Sequence, residues 1–411
     1  MKNIHKLNNL GELKNGLNYS KRDIEEPCKI IGVGDFANNL FPNYSELSFI
    51  DNSLVTDDFL LKTGDIIFVR SNGNKNLVGR SMYISEAMEN ITFSGFCIRF
   101  RPDTNKVNPL YLFYLLRSPS CRKQYSYSQQ TNITNLSQDV LGEVTVILPS
   151  VEEQNRVAKL LYEIDLKILL NQKLNDNLEQ QARLIFDYWF GQNKYLNSEV
   201  FSCVEGHFSD LISINKTGDW GKSTPEGKYT QNAYCVRGAD FPALHGKKQL
   251  NAPERYISTD NTYKYLEQND IIVEISGGSP TQSTGRICYI NQSTLSRFDK
   301  PVFASNFCRA LSLKNDYDLY WFYLMWQKLY DSGVLFGFEG KTTGIKNLLF
   351  DIFCNRYIIA IPKDSVRIEF NKIVSPLFDK IQLNQIENDR LMQLRDWLLP
   401  MLMNGQATIE D

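Results

Sequence analysis

The sequence predicts an α+β protein: two β-rich domains, each followed by one long helix, with the two helices paired in a coiled coil. Three observations carry this. The chain repeats itself, each repeat opens on short apolar runs punctuated by turn residues, and each closes on a heptad seam. The boundaries fall at residues 1–149 and 192–362 for the β-rich domains, 150–191 for the central helix and 363–405 for the C-terminal helix.

Length comes first. At 411 residues the chain exceeds one ordinary core and suffices for two with linking elements. No apolar run is long enough to span a bilayer, and the segment Met1 to His5 lacks the pattern of a secretory signal. The eight cysteines include no Cys-x-x-Cys pair and there are three histidines, so neither a zinc site nor a disulfide framework is expected. A cytoplasmic, non-membrane protein is the expectation. The formal net charge of −2 counts mildly against a chain that grips nucleic acid unaided.

The repeat is read from ordered matches. Lys29-Ile30-Ile31-Gly32-Val33-Gly34-Asp35-Phe36 resembles Ala233 to Phe241, and Gly64-Asp65-Ile66-Ile67 returns as Asn269-Asp270-Ile271-Ile272. Gly79-Arg80 recurs as Gly285-Arg286, Phe96-Cys97 as Phe307-Cys308, and Tyr111 to Leu115 as Tyr320 to Leu324. Ile133 to Leu136 recurs as Ile345 to Leu348, and Ile147-Leu148-Pro149 as Ala360-Ile361-Pro362. Runs such as Asp65 to Arg70 and Ile98 to Arg101 read as strands, and an aromatic helix near Tyr111 to Leu116 interrupts them.

Ser150 and Glu153 form a capping-box start for the central helix. Its seam is Val157, Leu161, Ile164, Ile168, Asn171, Asn175, Leu178, Ala182, Ile185 and Trp189, with Gly191 as the stop. The offset from Pro149 to Pro362 regenerates it as Phe370, Val374, Leu377, Ile381, Asn384, Asn388, Leu391, Arg395, Leu398 and Leu402. Asparagine at the centre of both seams specifies register but not direction, since parallel and antiparallel pairings both match asparagines. Two amphipathic helices packed separately on their own domains are the plainer alternative. A helix of nearly forty residues is about 58 Å long, enough to space two domains along more than one turn of DNA.

Between Asp103 and Asp139 the chain has no acidic residue, and it carries Arg122, Lys123, Gln129, Gln130 and Asn132. The stretch Arg70 to Arg80 is also acid-free, with Arg70, Asn72, Asn74, Lys75 and Arg80 as candidate DNA contacts. The matching places in the second half supply Ser279, Thr281, Gln282, Ser283 and Arg286, then Lys341, Thr342, Thr343 and Lys346. Arginine and lysine meet phosphates or guanine, and asparagine and glutamine pair with adenine. Solvated loops are the plainer reading of each segment. Against it, the loops are polar in both halves yet differ in detail, as readers of different half-sites should.

Catalytic equipment is not evident. There is no Asn/Asp-Pro-Pro-aromatic segment for holding a flipped adenine and no phosphate-binding Gly-x-x-x-x-Gly-Lys-Ser/Thr loop. His5, His207 and His245 have no ligand-like spacing and read as surface or core residues. Asp65 and Asp270 precede strands at equivalent positions and read as turn-makers. Cys97 and Cys308 read as core.

Over nearly its whole length the sequence resembles the specificity subunits of Type I restriction–modification systems. The resemblance rests on Gly64-Asp65-Ile66-Ile67, on Pro149-Ser150-Val151-Glu152-Glu153-Gln154-Asn155-Arg156-Val157, and on Leu398-Leu399-Pro400-Met401-Leu402-Met403-Asn404-Gly405. The counterpart of the second motif, after Pro362, has lost its Glu-Gln pair. The resemblance implies a non-catalytic subunit with two target-recognition domains and an antiparallel coiled coil. Each domain would read half of a bipartite double-stranded DNA site. Two modification subunits would dock on the helices and bring S-adenosylmethionine, so this chain itself needs no cofactor or metal. Restriction (motor–nuclease) subunits would complete the assembly. A specificity module of another methylating defence system, a protein-binding coiled-coil scaffold and a self-sufficient nuclease are the alternatives.

Overall fold

The computed structural model describes residues 3–20, 23–36, 39–86, 90–125, 135–191, 203–245, 250–277, 282–342 and 345–409. The chain divides into two compact units, Met1–Leu166 with Met392–Asp411, and Lys167–Leu391. Two long helices, α4 (Val151–Phe186) and α9 (Asp364–Met403), each contribute to both. Among the described residues no helix is long and apolar enough to cross a membrane.

The first unit contains β1 (Asn3–Lys6), β2 (Gly11–Asn15), β3 (Pro27–Ile31), β4 (Ser48–Asp51), β5 (Ile66–Val69), β6 (Ser81–Tyr83), β7 (Ile91–Phe93) and β8 (Cys97–Pro102). Helices α1 (Pro109–Arg117), α2 (Pro119–Tyr125) and α3 (Gln138–Gly142) follow, then β9 (Thr145–Leu148). An antiparallel sheet runs β2-β8-β5-β6; a second runs β4-β3-β7, with β3 and β7 parallel; β1 pairs with β9. Strand β5 is apolar throughout because both of its faces are covered. Ile66 and Phe68 pack with α1 and the start of α4, while Ile67 and Val69 pack with Ile31, Phe93 and Cys97. Burying each such side chain stabilises by roughly 1.5–3 kcal/mol.

The second unit repeats this plan. It contains β10 (Cys203–Gly206), β11 (Ile212–Thr217), β12 (Tyr229–Val236), α5 (Phe241–Leu244), β13 (Glu254–Ser258), β14 (Asp270–Glu274), β15 (Ser276–Gly277) and β16 (Ile287–Tyr289). Next come α6 (Gln292–Leu295), β17 (Val302–Ala304), β18 (Cys308–Leu313), α7 (Leu319–Asp331), β19 (Glu339–Thr342), β20 (Ile345–Leu348), α8 (Phe350–Arg356) and β21 (Ile359–Pro362). Sheet orders β11-β18-β14-β16 and β13-β12-β17 and the pair β10-β21 reproduce the first unit strand for strand. The second unit also has a third sheet, β15-β20-β19; among the described residues its counterpart in the first unit is a Ser71–Asn135 bridge.

Asp65 and Asp270 do make the turns before their strands, accepting from the backbone N–H of Lys62 at 2.7 Å and of Glu267 at 2.9 Å. They also do more. Each is 1 % exposed and pairs with a cation: Asp65 with Arg101 on β8, through two bonds of 2.7 Å, and Asp270 with Lys216 on β11 at 3.0 Å. The carboxylate stays in place while its cation comes from a different strand of the sheet, the adjacent β8 in the first unit and β11, one strand further away, in the second.

Helix α4 starts where Ser150 Oγ accepts from the Glu153 N–H at 3.2 Å. Within the second unit Asn171 donates to Asn388 at 2.9 Å, and Asn384 donates to Asn175 at 2.8 Å. Advancing along one helix retreats along the other, so the pairing is antiparallel. All four asparagines are buried, and Phe370, Val374, Leu377 and Ile381 share a core with Leu178, Ala182 and Ile185. Within the first unit Val157 and Leu161 pack with Leu398 and Leu402. Ile164 and Ile168 are buried and Leu391 is half-buried.

Candidate nucleic-acid interface

In each unit the loop after the central strand is closed at its base by the same backbone ladder. Val69 N–H donates to Arg80 O at 2.9 Å and Gly79 N–H to Val69 O at 2.8 Å; Glu274 N–H donates to Arg286 O at 2.8 Å and Gly285 N–H to Glu274 O at 2.9 Å. The closing glycines have φ of +75° and +99°, the left-handed region that favours glycine. A clasp then grips each glycine carbonyl. In the first unit Arg122 Nη1 donates to Gly79 O, while its Nη2 reaches Val78 O at 3.3 Å. In the second, Trp326 Nε1 donates to Gly285 O at 2.7 Å.

These closed loops hold candidates from both sets, and their placements differ. Arg70 is half-buried and donates to Gly95 O at 3.4 Å. Asn72 and Asn74 accept from the N–H groups two residues on, at 2.8 and 3.0 Å, which shapes the loop as consecutive Asx turns. Arg80 is half-buried, and Lys123 and Gln282 are exposed. Gln129, Gln130, Asn132, Ser279, Thr281 and Thr343 lie outside the described residues, as do the side chains of Lys75, Lys341 and Thr342.

Four candidates bond within their own unit, Ser283 as a buried residue and the other three as half-buried ones. Arg122 is the clasp just described. Ser283 is 4 % exposed and donates to Glu339 at 3.0 Å. Arg286 forms a two-bond pair with Glu274, at 2.8 and 2.6 Å, and Lys346 meets Glu339 at 3.3 Å and Gln282 O at 3.3 Å. The physical reason is the company of buried carboxylates. Glu274 is 6 % exposed, and an unpaired charge there would be costly. Burial pushes the Glu339 carboxyl up, yet the Thr284 N–H, Ser283 and Lys346 together hold it below its ordinary range. Sequence inspection saw the cations and missed their partners because Glu274 sits inside an apolar strand and Glu339 lies far along the chain.

Two residues were legible only as repeat markers. Phe96 and Phe307 are 64 % and 48 % exposed and adjoin the loop bases. The cysteines after them are buried, and burial raises both thiols to about 12, far from reactive. His245 is half-buried against the rings of Tyr289 and Tyr323, and His207 lies 3.6 Å from Asp210.

The duplicated framework and the antiparallel helix pair define a two-unit α+β architecture. Residues 2–180 match the family model described as Type I restriction modification DNA specificity domain. The chain is 22 % identical to the Type I restriction enzyme HindI specificity subunit of Haemophilus influenzae, covering 92 % of this chain and 93 % of that protein. It is 26 % identical to the MjaIX specificity subunit of Methanocaldococcus jannaschii, covering 73 % and 69 %. Its fold is similar to the crystal structure of the Type I S subunit from M. genitalium, with a TM-score of 0.55, 17 % identity and coverage of 97 % and 95 %. The chain is thus similar to Type I specificity subunits, through the family model in its first half and through relatives over most of its length.

Proposed function

We propose that this chain selects the DNA sequence on which a Type I restriction–modification complex acts, each unit reading one half of a bipartite site in double-stranded DNA. The observation that carries this is the doubled loop architecture. Two units share the ladder, the closing glycine and the exposed phenylalanine, yet fill the enclosed loop with different polar residues. A common frame holding variable polar content is what two readers of unlike half-sites require.

The helices supply the docking surface for two modification subunits, which carry S-adenosylmethionine and perform the methylation. Leu170 and Leu184 on α4 are 60 % and 61 % exposed, and their repeat equivalents Leu383 and Trp397 on α9 are 54 % and 60 % exposed. Duplicated exposed apolar anchors suit two copies of one partner. Restriction subunits join the same assembly, which acts on cytoplasmic DNA.

The test is co-expression with the modification subunit, followed by mapping of adenine methylation across the host genome. A single two-part motif with a fixed gap, lost when this chain is omitted, is the expected result. A stable complex with an active modification subunit but no new methylation would overturn the reading in favour of a scaffold.

A further inference from the structure

Phe96 and Phe307 occupy the same place in two copies of one turn. Cys97 N–H donates to Ser94 O at 2.9 Å, and Cys308 N–H to Ser305 O at 2.8 Å, so each phenylalanine is the third residue of a tight four-residue turn. Turn chemistry favours glycine, asparagine or aspartate there, and nothing in the backbone asks for a large apolar ring. The following cysteine is buried in both units, whereas the ring is 64 % exposed in one and 48 % in the other.

Each turn is fastened to the first residues of the polar loop. Arg70 N–H and Ser71 N–H donate to Phe96 O at 2.8 and 3.3 Å, and Ile275 N–H and Ser276 N–H donate to Phe307 O at 2.8 and 3.1 Å. The turn and the first residues of the loop therefore hold a fixed mutual position in each unit. Neither loop, residues 70–80 or 276–286, contains an aspartate or glutamate. An exposed apolar ring on a fastened turn, beside an acid-free polar loop, matches duplex DNA, whose major groove offers thymine methyl groups next to hydrogen-bonding edges and phosphates.

Resting on the specificity-subunit reading, we propose that Phe96 and Phe307 are specificity-determining contacts that pack on the apolar edge of a base, most simply a thymine methyl, in the half-site read by their own unit. The backbone that carries each ring is already held by hydrogen bonds, so binding need not order it.

The experiment uses the full chain assembled with its modification subunits, comparing wild type with Phe96→Ala, Phe307→Ala and Phe96→Tyr. Wild-type methylation of a two-part motif establishes the underlying reading independently. Burial of a ring predicts a loss of roughly ten- to hundredfold in DNA affinity for each alanine variant, with complex assembly intact. Phe96→Ala should relax base preference in one half of the motif and Phe307→Ala in the other, while Phe96→Tyr stays within about threefold of wild type. Unchanged affinity and motif in correctly assembled alanine variants would overturn the proposal. So would loss of assembly, which would place the rings at a protein interface.

Discussion

Replacing Asp165 by alanine removes the centre of a buried network in the first unit. Asp165 is 3 % exposed, accepts from Tyr114 Oη at 2.7 Å and pairs with Arg395 at 2.8 Å, joining α1, α4 and α9. Breaking a buried pair by removing one partner costs about 3–5 kcal/mol, because the survivor stays desolvated. Here the survivor is sheltered, since the Arg395 side chain is 21 % exposed and retains Asp396 at 2.8 Å. The Tyr114 hydroxyl, however, also loses its acceptor, so the expected cost is about 3 kcal/mol. The second unit solves the equivalent place without charge. Phe378 and Ala182 stand where Asp165 and Arg395 stand, and Phe378 meets Tyr323, the equivalent of Tyr114, with ring centroids 5.7 Å apart. The double variant Asp165→Phe with Arg395→Ala copies that solution and should cost less than about 1 kcal/mol, since well-packed apolar groups can replace a buried ion pair without loss. Two units need not unfold together, so the readout is native-state hydrogen exchange of the α4 amides near Asp165 rather than a global midpoint. An Asp165→Ala cost below about 1 kcal/mol would refute the network argument. A double variant no better than the sum of its single changes would refute the equivalence of the two solutions.

Two further outcomes follow from the loop bases. Gly285→Ala places a Cβ 2.2 Å from Leu335 Cδ2 at φ +99°, whereas Gly79→Ala meets Tyr125 Cε2 at 3.0 Å at φ +75°. The first should destabilise its unit by about 2–4 kcal/mol and the second by about 1–3, as local exchange would show; equal or negligible effects would contradict the tight-base reading. Glu339 provides a pH dependence. Its folded pKa lies below the unfolded value, so its stabilisation is fully present above about pH 4.3 and is lost as pH falls through the folded pKa. Acidification should therefore loosen the β19–β20 hairpin in wild type and change Glu339→Gln much less, as measured by exchange of the Thr284 and Leu348 amides.

Much of the fold was legible because its signals are local or repeated. Apolar runs such as Ile66 to Val69 announce strands, and the matched asparagines announce a shared register. Direction was not legible from the seam: an antiparallel pairing sets Asn171 against Asn388 and Asn175 against Asn384, a parallel one would set Asn171 against Asn384 and Asn175 against Asn388, and the tertiary pairing is the first. The third sheet of the second unit was also hidden, since Ser276-Gly277 is too short and polar to read as a strand before β20 lies beside it. Among the candidate contacts, the internal partners were hidden for one reason. Arg122, Arg286 and Lys346 were chosen for charge, but their partners are backbone carbonyls, the buried Glu274 and the half-buried Glu339, which spacing does not reveal.

Those inward-turned cations bear on how the protein holds DNA. Affinity for duplex DNA comes largely from neutralised phosphates, and a cation already paired with a carboxylate releases few counterions. In the second unit Arg286 is matched by Glu274 and Lys346 by Glu339, so two apparent cations add little net field. With a formal net charge of −2 over the chain, the subunit is poorly equipped to bind DNA by charge alone. What these residues do supply is shape: they fasten the bases of the polar loops beside the exposed phenylalanines. Recognition and grip are separable tasks, and this chain has invested its buried charge in the first. Phosphate contacts from a bound modification subunit are the natural complement, because base contacts specify while backbone contacts position.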